Sequence, residues 1–236
     1  FAGAPLTDHY GFRQTQVATV ARELAEGGPW FPYLMPVLGP PWSVPMEFPV
    51  YQIVVGWIMN ITGLPLEPAA RILSIVSGLA CLPIIFRIST LIGIDRVSSF
   101  LIVFLTGYRP LFMYWSSTVM IETFTLALCL GFVWCALEYL KKDRLWLLPI
   151  GASFALLASL AKATTFLIFA IAVFLLFAAL FLQRWREERL GFQVSKIVRL
   201  AMPWFAYGCA MLLPAILIAL VWVSYSDALK AGSPLS

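Results

Sequence analysis

Apolar runs of about the length that crosses a bilayer follow one another through most of this chain, and they leave few folds open. They fall at residues 68–92, 96–111, 116–140, 145–161, 164–183 and 199–225. A helix needs ~20 predominantly apolar residues to traverse a hydrocarbon core of ~30 Å. A chain with 12% charged residues and 18 Phe also lacks the charge, ~25%, with which soluble domains cover their surface. The alternating ~10-residue strands of an outer-membrane barrel are missing from the pattern. The fold class that follows is all-α, a polytopic membrane helical bundle.

The first 64 residues read differently and form a separate unit, an external loop carrying interfacial helices. Arg13 to Glu26 predicts an amphipathic helix, with Val17, Val20, Ala21 and Leu24 on one face and Arg22, Glu23 and Glu26 off it. Gly27-Gly28-Pro29 ends it. The proline-rich stretch from Trp30 to Pro49 places Trp30, Tyr33 and Trp42 where amphipathic aromatics settle, at headgroup level. A short apolar segment, 48–63, begins at Pro49 and carries Gly56 and Asn60. The bundle then occupies residues 65–226, and 227–236 begins another external segment. Because the chain opens at Phe1 on polar residues with no basic-plus-apolar leader, it is expected to be a fragment that lacks an upstream membrane anchor.

Charge asymmetry sets the topology. If segment 48–63 does not cross and the opening loop is external, ten cations are cytoplasmic: Arg87, Arg96, Lys141, Lys142, Arg144, Arg184, Arg186, Arg189, Lys196 and Arg199. Six are then external: Arg13, Arg22, Arg71, Arg109, Lys162 and Lys230. The positive-inside rule selects this arrangement, with six crossings and segment 48–63 interfacial or re-entrant. No internal repeat supports an inverted-repeat transporter. The four cysteines lie in apolar stretches without metal-ligand spacing and read as small packing residues.

The external ends then collect ionisable groups. Asp8, His9, Arg13 and Glu47 lie in the opening loop, Arg109 precedes Pro110, and Lys162 sits in an outer turn, Ala161-Lys162-Ala163. Glu122 is expected about six residues into its helix, ~9 Å deep, where a carboxylate costs ~2–3 kcal/mol unless it meets a partner or a polar cavity. An interhelical hydrogen bond would account for Glu122 alone, and snorkelling for Lys162 alone. Arg71, just after Glu67-Pro68, fits an interface anchor. His9 is the only histidine; with Asp8 and Glu47 it offers ligands for a divalent metal, or it is a hydrogen-bond partner or a bystander. As a set, these acids and bases suit one pocket. A carboxylate there accepts a proton from an attacking hydroxyl or amine, and cations beside it hold a phosphate leaving group. Group transfer from a lipid-linked phosphate meets these requirements, and nucleic acid is not an expected partner.

The order of these landmarks resembles the GT-C superfamily of membrane glycosyltransferases, in the branch of protein O-mannosyltransferases and the aminoarabinose transferase. Asp8-His9 stands where that branch carries an acidic pair, ahead of Val20-Ala21-Arg22-Glu23-Leu24, which is similar to its Ala-Arg-Glu-Met helix. Glu47-Phe48-Pro49 resembles its Glu-Lys-Pro-Pro element, Arg71 an early arginine of the next crossing, Glu122 a second external acid, and Ala161-Lys162-Ala163 a Lys-Gly-like turn. The run His9-Tyr10-Gly11-Phe12-Arg13-Gln14 is similar to a bacterial His-x-x-(Trp/Phe)-Arg-Gln element. The chain departs from the branch at His9 (usually an acid), Phe48 (usually Lys) and Glu122 (commonly Asp).

The resemblance implies a multi-pass protein of a bacterial inner membrane, with its site open to the periplasm or exterior. It implies a polyprenyl-phosphate-linked sugar donor, membrane lipids as surroundings, a lipid, glycan or protein acceptor, and inversion at the sugar carbon. Asp8 is then the expected base and Glu122 the second catalytic acid. Arg13, Glu47, Arg109 and Lys162 are expected to bind substrate. A polyprenyl-lipid transporter or flippase, or a non-catalytic membrane scaffold, would use the same charges without needing Asp8 as a base.

Overall fold

The computed structural model describes residues 11–35, 46–142, 144–187 and 208–231; Asp8 and His9 fall outside them. The described residues are helices and connectors: α1 Gly11–Ala25, α2 Val50–Thr62, α3 Leu66–Leu91, α4 Arg96–Gly107, α5 Pro110–Ser117, α6 Glu122–Lys142 and α7 Leu147–Glu187. A π-helical turn, Gly208–Leu212, leads into α8, Leu213–Ala231. The chain therefore folds as an all-α polytopic membrane bundle.

The amphipathic helix lies where its pattern predicts. Val17, Val20, Ala21 and Leu24 are buried and Arg22 is exposed. Gly27, at φ 92°, closes α1 by sending the Gly28 amide to Glu23 O at 2.8 Å and its own amide to Leu24 O at 3.3 Å. That pairing satisfies carbonyls the helix end leaves open, and only the left-handed conformation of Gly27 allows it. α2 lies against α1, with Asn60 Nδ2 donating to Ala25 O at 3.2 Å. At 13 residues, α2 is ~20 Å long, too short to span.

Four helices are long and apolar enough to cross a membrane: α3, α6, α7, and α8 with its π turn. α4 and α5 make a fifth candidate, bent by 61°. α7 has 41 residues and one break, at Lys162 (φ −163°, ψ 88°). Unbroken it would reach ~60 Å, twice a hydrocarbon core. Instead, Leu147, Ala155 and Ala158 before the break and Phe166, Val173 and Phe177 after it enter the same apolar cluster around α6. Phe166 meets Phe132 of α6 with ring centroids 5.4 Å apart, although Lys162 stands beside Glu122, ten residues away along that helix. The chain thus turns back at Lys162.

α6 is the central helix, burying Cys129, Phe132, Cys135 and Ala136 completely. Small residues let its neighbours approach: the Phe154 ring lies 3.0 Å from where a Cβ on Gly131 would sit. The outer surface is apolar, with Val97, Leu105, Ile168, Phe174 and Val221 all more than 60% exposed. Such a surface suits lipid and not water. Cys81, Cys129 and Cys135 are buried free thiols, as packing residues are, while Cys209 is exposed.

Helix ends differ from the hydropathy pattern in three places. Pro110 removes a helix donor and disfavours the helical conformation before it, so the 96–111 run breaks at Arg109 and restarts at Pro110. The 116–140 run starts its helix only at Glu122, because residues 118–121 form a connector. Glu122 is consequently the first residue of α6 and not six residues into a helix. α8 continues to Ala231 and so takes in residues 227–231, placed outside the bundle by the sequence pattern. On the loop before α4, Asp95 accepts from the amides of Val97 and Ser98, both at 3.0 Å. Hydrogen bonds from Ser98 hold the Asp95 carboxyl below its ordinary value. The cap's contribution is thus present above that ordinary value and is lost only as pH falls through the lowered one.

The docking of α5 on α3 makes a direct test of this packing. A Cβ on Gly78 would come within 2.5 Å of Ser116 Oγ and 2.8 Å of Ser116 Cβ. Gly78→Ala is expected to destabilise the bundle by about 1–3 kcal/mol, as overpacking does. Thermal unfolding in detergent reads this, and adding Ser116→Gly, which removes both clashing atoms, is expected to recover part of the loss.

Candidate active site

Charged side chains gather at the two ends of α6. At its C-terminal end Arg87 Nη2 lies 3.0 Å from Glu138 Oε1, and Lys142 pairs with the same oxygen. These are the cations that charge asymmetry placed together on one side. The end of interest is the other, ~30 Å away along 21 residues.

There Lys162 Nζ lies 3.1 Å from Glu122 Oε1. The break at Lys162 explains the meeting: the turn brings an ammonium back over the first turn of α6. Both side chains keep about a quarter of their surface exposed, 25% and 23%. The second carboxylate oxygen, Glu122 Oε2, is buried and accepts no hydrogen bond from the described residues. A buried acceptor without a partner costs free energy until something donates to it.

A second pair joins α1 to the loop before α2. Arg13 Nη2 lies 2.9 Å from Glu47 Oε1, both about one-third exposed. Tyr33 frames this pair, its hydroxyl donating to Glu47 O at 3.0 Å and accepting from the Met46 amide at 2.9 Å. Burial pushes the Tyr33 phenol above its ordinary value, so it stays a neutral donor. The two pairs share one end of the bundle. A cavity between α1, this loop and α2 is lined by Arg13, Gln16, Tyr33, Glu47, Gln52 and Ile121, the residue before Glu122. The Phe48 amide donates to Leu160 O at 3.2 Å, two residues before Lys162. Trp222 of α8 closes the edge, its Nε1 donating to Met46 O at 3.1 Å and its ring meeting Phe48 at 5.0 Å.

The structure therefore brings Arg13, Glu47, Glu122 and Lys162 to one end, with Arg71 beside them, its Nη1 donating to Ser117 O at 2.8 Å. Arg71 is thus buried in the bundle and more than an interface anchor. Arg109 is not brought to this group. It is exposed at the α4–α5 break, between Gly107, which faces Leu82, and Ser116, which faces Gly78. Gly78 also faces Thr123, next to Glu122, whereas Leu82 lies further along α3, so the Gly107 side of the break is the one turned away from the group. Among the described residues no group of three His, Cys, Asp or Glu side chains is placed to hold a metal ion. Of the ligands the sequence offered, Glu47 is engaged by Arg13, and Asp8 and His9 lie outside the described residues.

Three site features were not singled out in the sequence: Tyr33 as a frame for Glu47, Gln14, and Tyr51, whose hydroxyl meets Ala70 O at 2.8 Å and Ser74 Oγ at 2.9 Å. Buried hydroxyls and amides in apolar helices were the available signal, since each needs a partner.

The pattern of the dolichyl-phosphate-mannose-protein mannosyltransferase family matches residues 43–207, well over half of the chain. The chain belongs to this family. As a dolichyl-phosphate-mannose-protein mannosyltransferase family member it is an integral membrane glycosyltransferase of the GT-C type, with a lipid-linked sugar donor. The family match includes Glu47, Arg71, Arg109, Glu122 and Lys162, and it starts after Asp8, His9 and Arg13. Curated proteins and solved structures give no match to the chain.

Proposed function

We propose that this membrane glycosyltransferase moves a sugar from a polyprenyl-phosphate-linked donor to an acceptor at the membrane face holding Glu122 and Lys162. The single observation that supports it best is the Glu122–Lys162 pair, with its uncommitted carboxylate oxygen, at one end of a lipid-facing bundle. That face is external: Arg87, Lys141, Lys142 and Arg144 crowd the opposite end, where the positive-inside rule puts the cytoplasm.

The reaction follows from the groups present. An acceptor hydroxyl or amine attacks the anomeric carbon, and its proton passes to the Asp8 carboxylate. The bond from that carbon to the phosphate oxygen breaks, and the polyprenyl phosphate leaves with the electron pair. Attack opposite the leaving group inverts the sugar carbon. Lys162 and Arg13 stabilise the phosphate charge as it develops, and Glu122 Oε2 orients the acceptor by accepting its hydrogen bond. Arg109, exposed and apart from the Glu122 group, takes no part in this step. The exposed rings of Trp30, Phe31 and Trp57 suit headgroup level, which supports entry of a lipid-borne donor from the side.

A flippase would use the same cations but leave the sugar–phosphate bond intact. The full chain in liposomes with labelled polyprenyl-phosphate mannose separates the two. Free polyprenyl phosphate appearing in step with mannosylated acceptor is the expected result. Movement of intact donor between leaflets, with no phosphate released, contradicts the proposal.

A further inference from the structure

The connector that delivers Glu122 is unusual in being buried. Thr118, Val119, Met120 and Ile121 are all 3% exposed or less, and Thr118 is extended at φ −97°, ψ 160°. Connectors normally run over a surface, because buried irregular backbone must find partners for its polar groups. Here the partners come from two helices. Arg71 of α3 donates to Ser117 O at 2.8 Å, and the carboxamide oxygen of Gln14 on α1 accepts from the Val119 amide at 3.2 Å. Gln14 is fully buried. Its neighbour Arg13 reaches Glu47 from the same turn of α1. Two adjacent residues of one interfacial helix thus hold the loop carrying one carboxylate and the connector carrying the other.

We infer that Gln14 is a positioning residue: its buried carboxamide pins the Val119 amide and so fixes Glu122 relative to Glu47 across the pocket. The inference rests on the proposed role of Glu122. A glutamine suits the task. It spans the gap from α1 to the connector with an uncharged acceptor, whereas a carboxylate in its place would bring a further negative charge into an interior that already holds Glu122. Release of the connector would leave α6 folded, since its core lies below, around Cys129 and Phe132. It would blur the position of the first residue of that helix.

The test uses Gln14→Met, which keeps length and apolar bulk and loses the acceptor, in the full chain. Transfer is expected to fall about 10–100-fold in kcat with donor KM within about threefold of wild type, the mark of misplacement without lost binding. A Gln14→Met protein with wild-type kcat overturns the inference, as does a loss accounted for by a lower folded fraction in thermal unfolding. Hydrogen exchange on the unaltered protein supplies an independent reading. Amides of residues 118–121 are expected to exchange as slowly as those of the first turns of α6, and exchange at exposed-loop rates overturns the inference. Glu122→Gln run alongside separates the levels. If it abolishes transfer while Gln14→Met does not change kcat, only the positioning role fails; if it leaves transfer intact, the reading of Glu122 fails.

Discussion

Replacing Lys162 with Met is expected to lower sugar transfer by on the order of 10²–10³-fold, the cost of removing one preorganised group from a developing charge. Two losses combine. The departing phosphate loses a cation, and Glu122 loses its partner at 3.1 Å, so a carboxylate with a buried oxygen is left to find other company. Much of the effect should appear in kcat, because the phosphate's charge as a leaving group grows in the transition state. Lys162→Arg keeps the charge on a longer, planar head and is expected to retain more activity than Met. The check is initial rates in proteoliposomes on protein with wild-type thermal unfolding. A Lys162→Met kcat within about threefold of wild type would remove Lys162 from the transition state.

Asp8→Asn is expected to lower kcat about 10²–10⁴-fold, the range for a lost general base, with donor affinity little changed. The substitution keeps size and hydrogen-bonding reach and removes only the capacity to take the proton. Donor binding in a non-turnover assay is the companion measurement. Loss of transfer with intact donor binding fits the base; loss of both assigns Asp8 to binding; and full transfer by a folded Asp8→Asn protein refutes the role outright.

Hydropathy and charge carried the fold a long way. The lipid-crossing runs, the amphipathic α1 with its Gly27 stop, and the turn at Lys162 were all legible, because each depends on local composition or on one backbone-permissive residue. The sequence also put Glu122 and Lys162 on one side, since both mark interruptions of apolar runs at the same end. The two features it misplaced have separate causes. Pro110 stops α4 several residues early, so Arg109 remains partway along α3, exposed and apart from the Glu122 group. The residues between α5 and α6 are apolar enough to read as helix, yet tertiary partners hold them extended: Arg71 on Ser117 and Gln14 on Val119. Hydropathy cannot distinguish a buried connector from a buried helix turn, because both are apolar. Gln14 was visible as a motif letter, but its partner lies 105 residues away. No local pattern encodes such a pairing.

Glu122 and Lys162 form the proposed centre of sugar transfer. The most direct measurement is transfer of labelled mannose from polyprenyl-phosphate mannose by the full chain in liposomes, comparing wild type with Glu122→Gln of equal thermal stability. The predicted result is robust transfer by wild type and a loss on the order of 100-fold or more in the variant, the scale of one misdirected catalytic contact. Equal transfer by the two proteins would contradict the account.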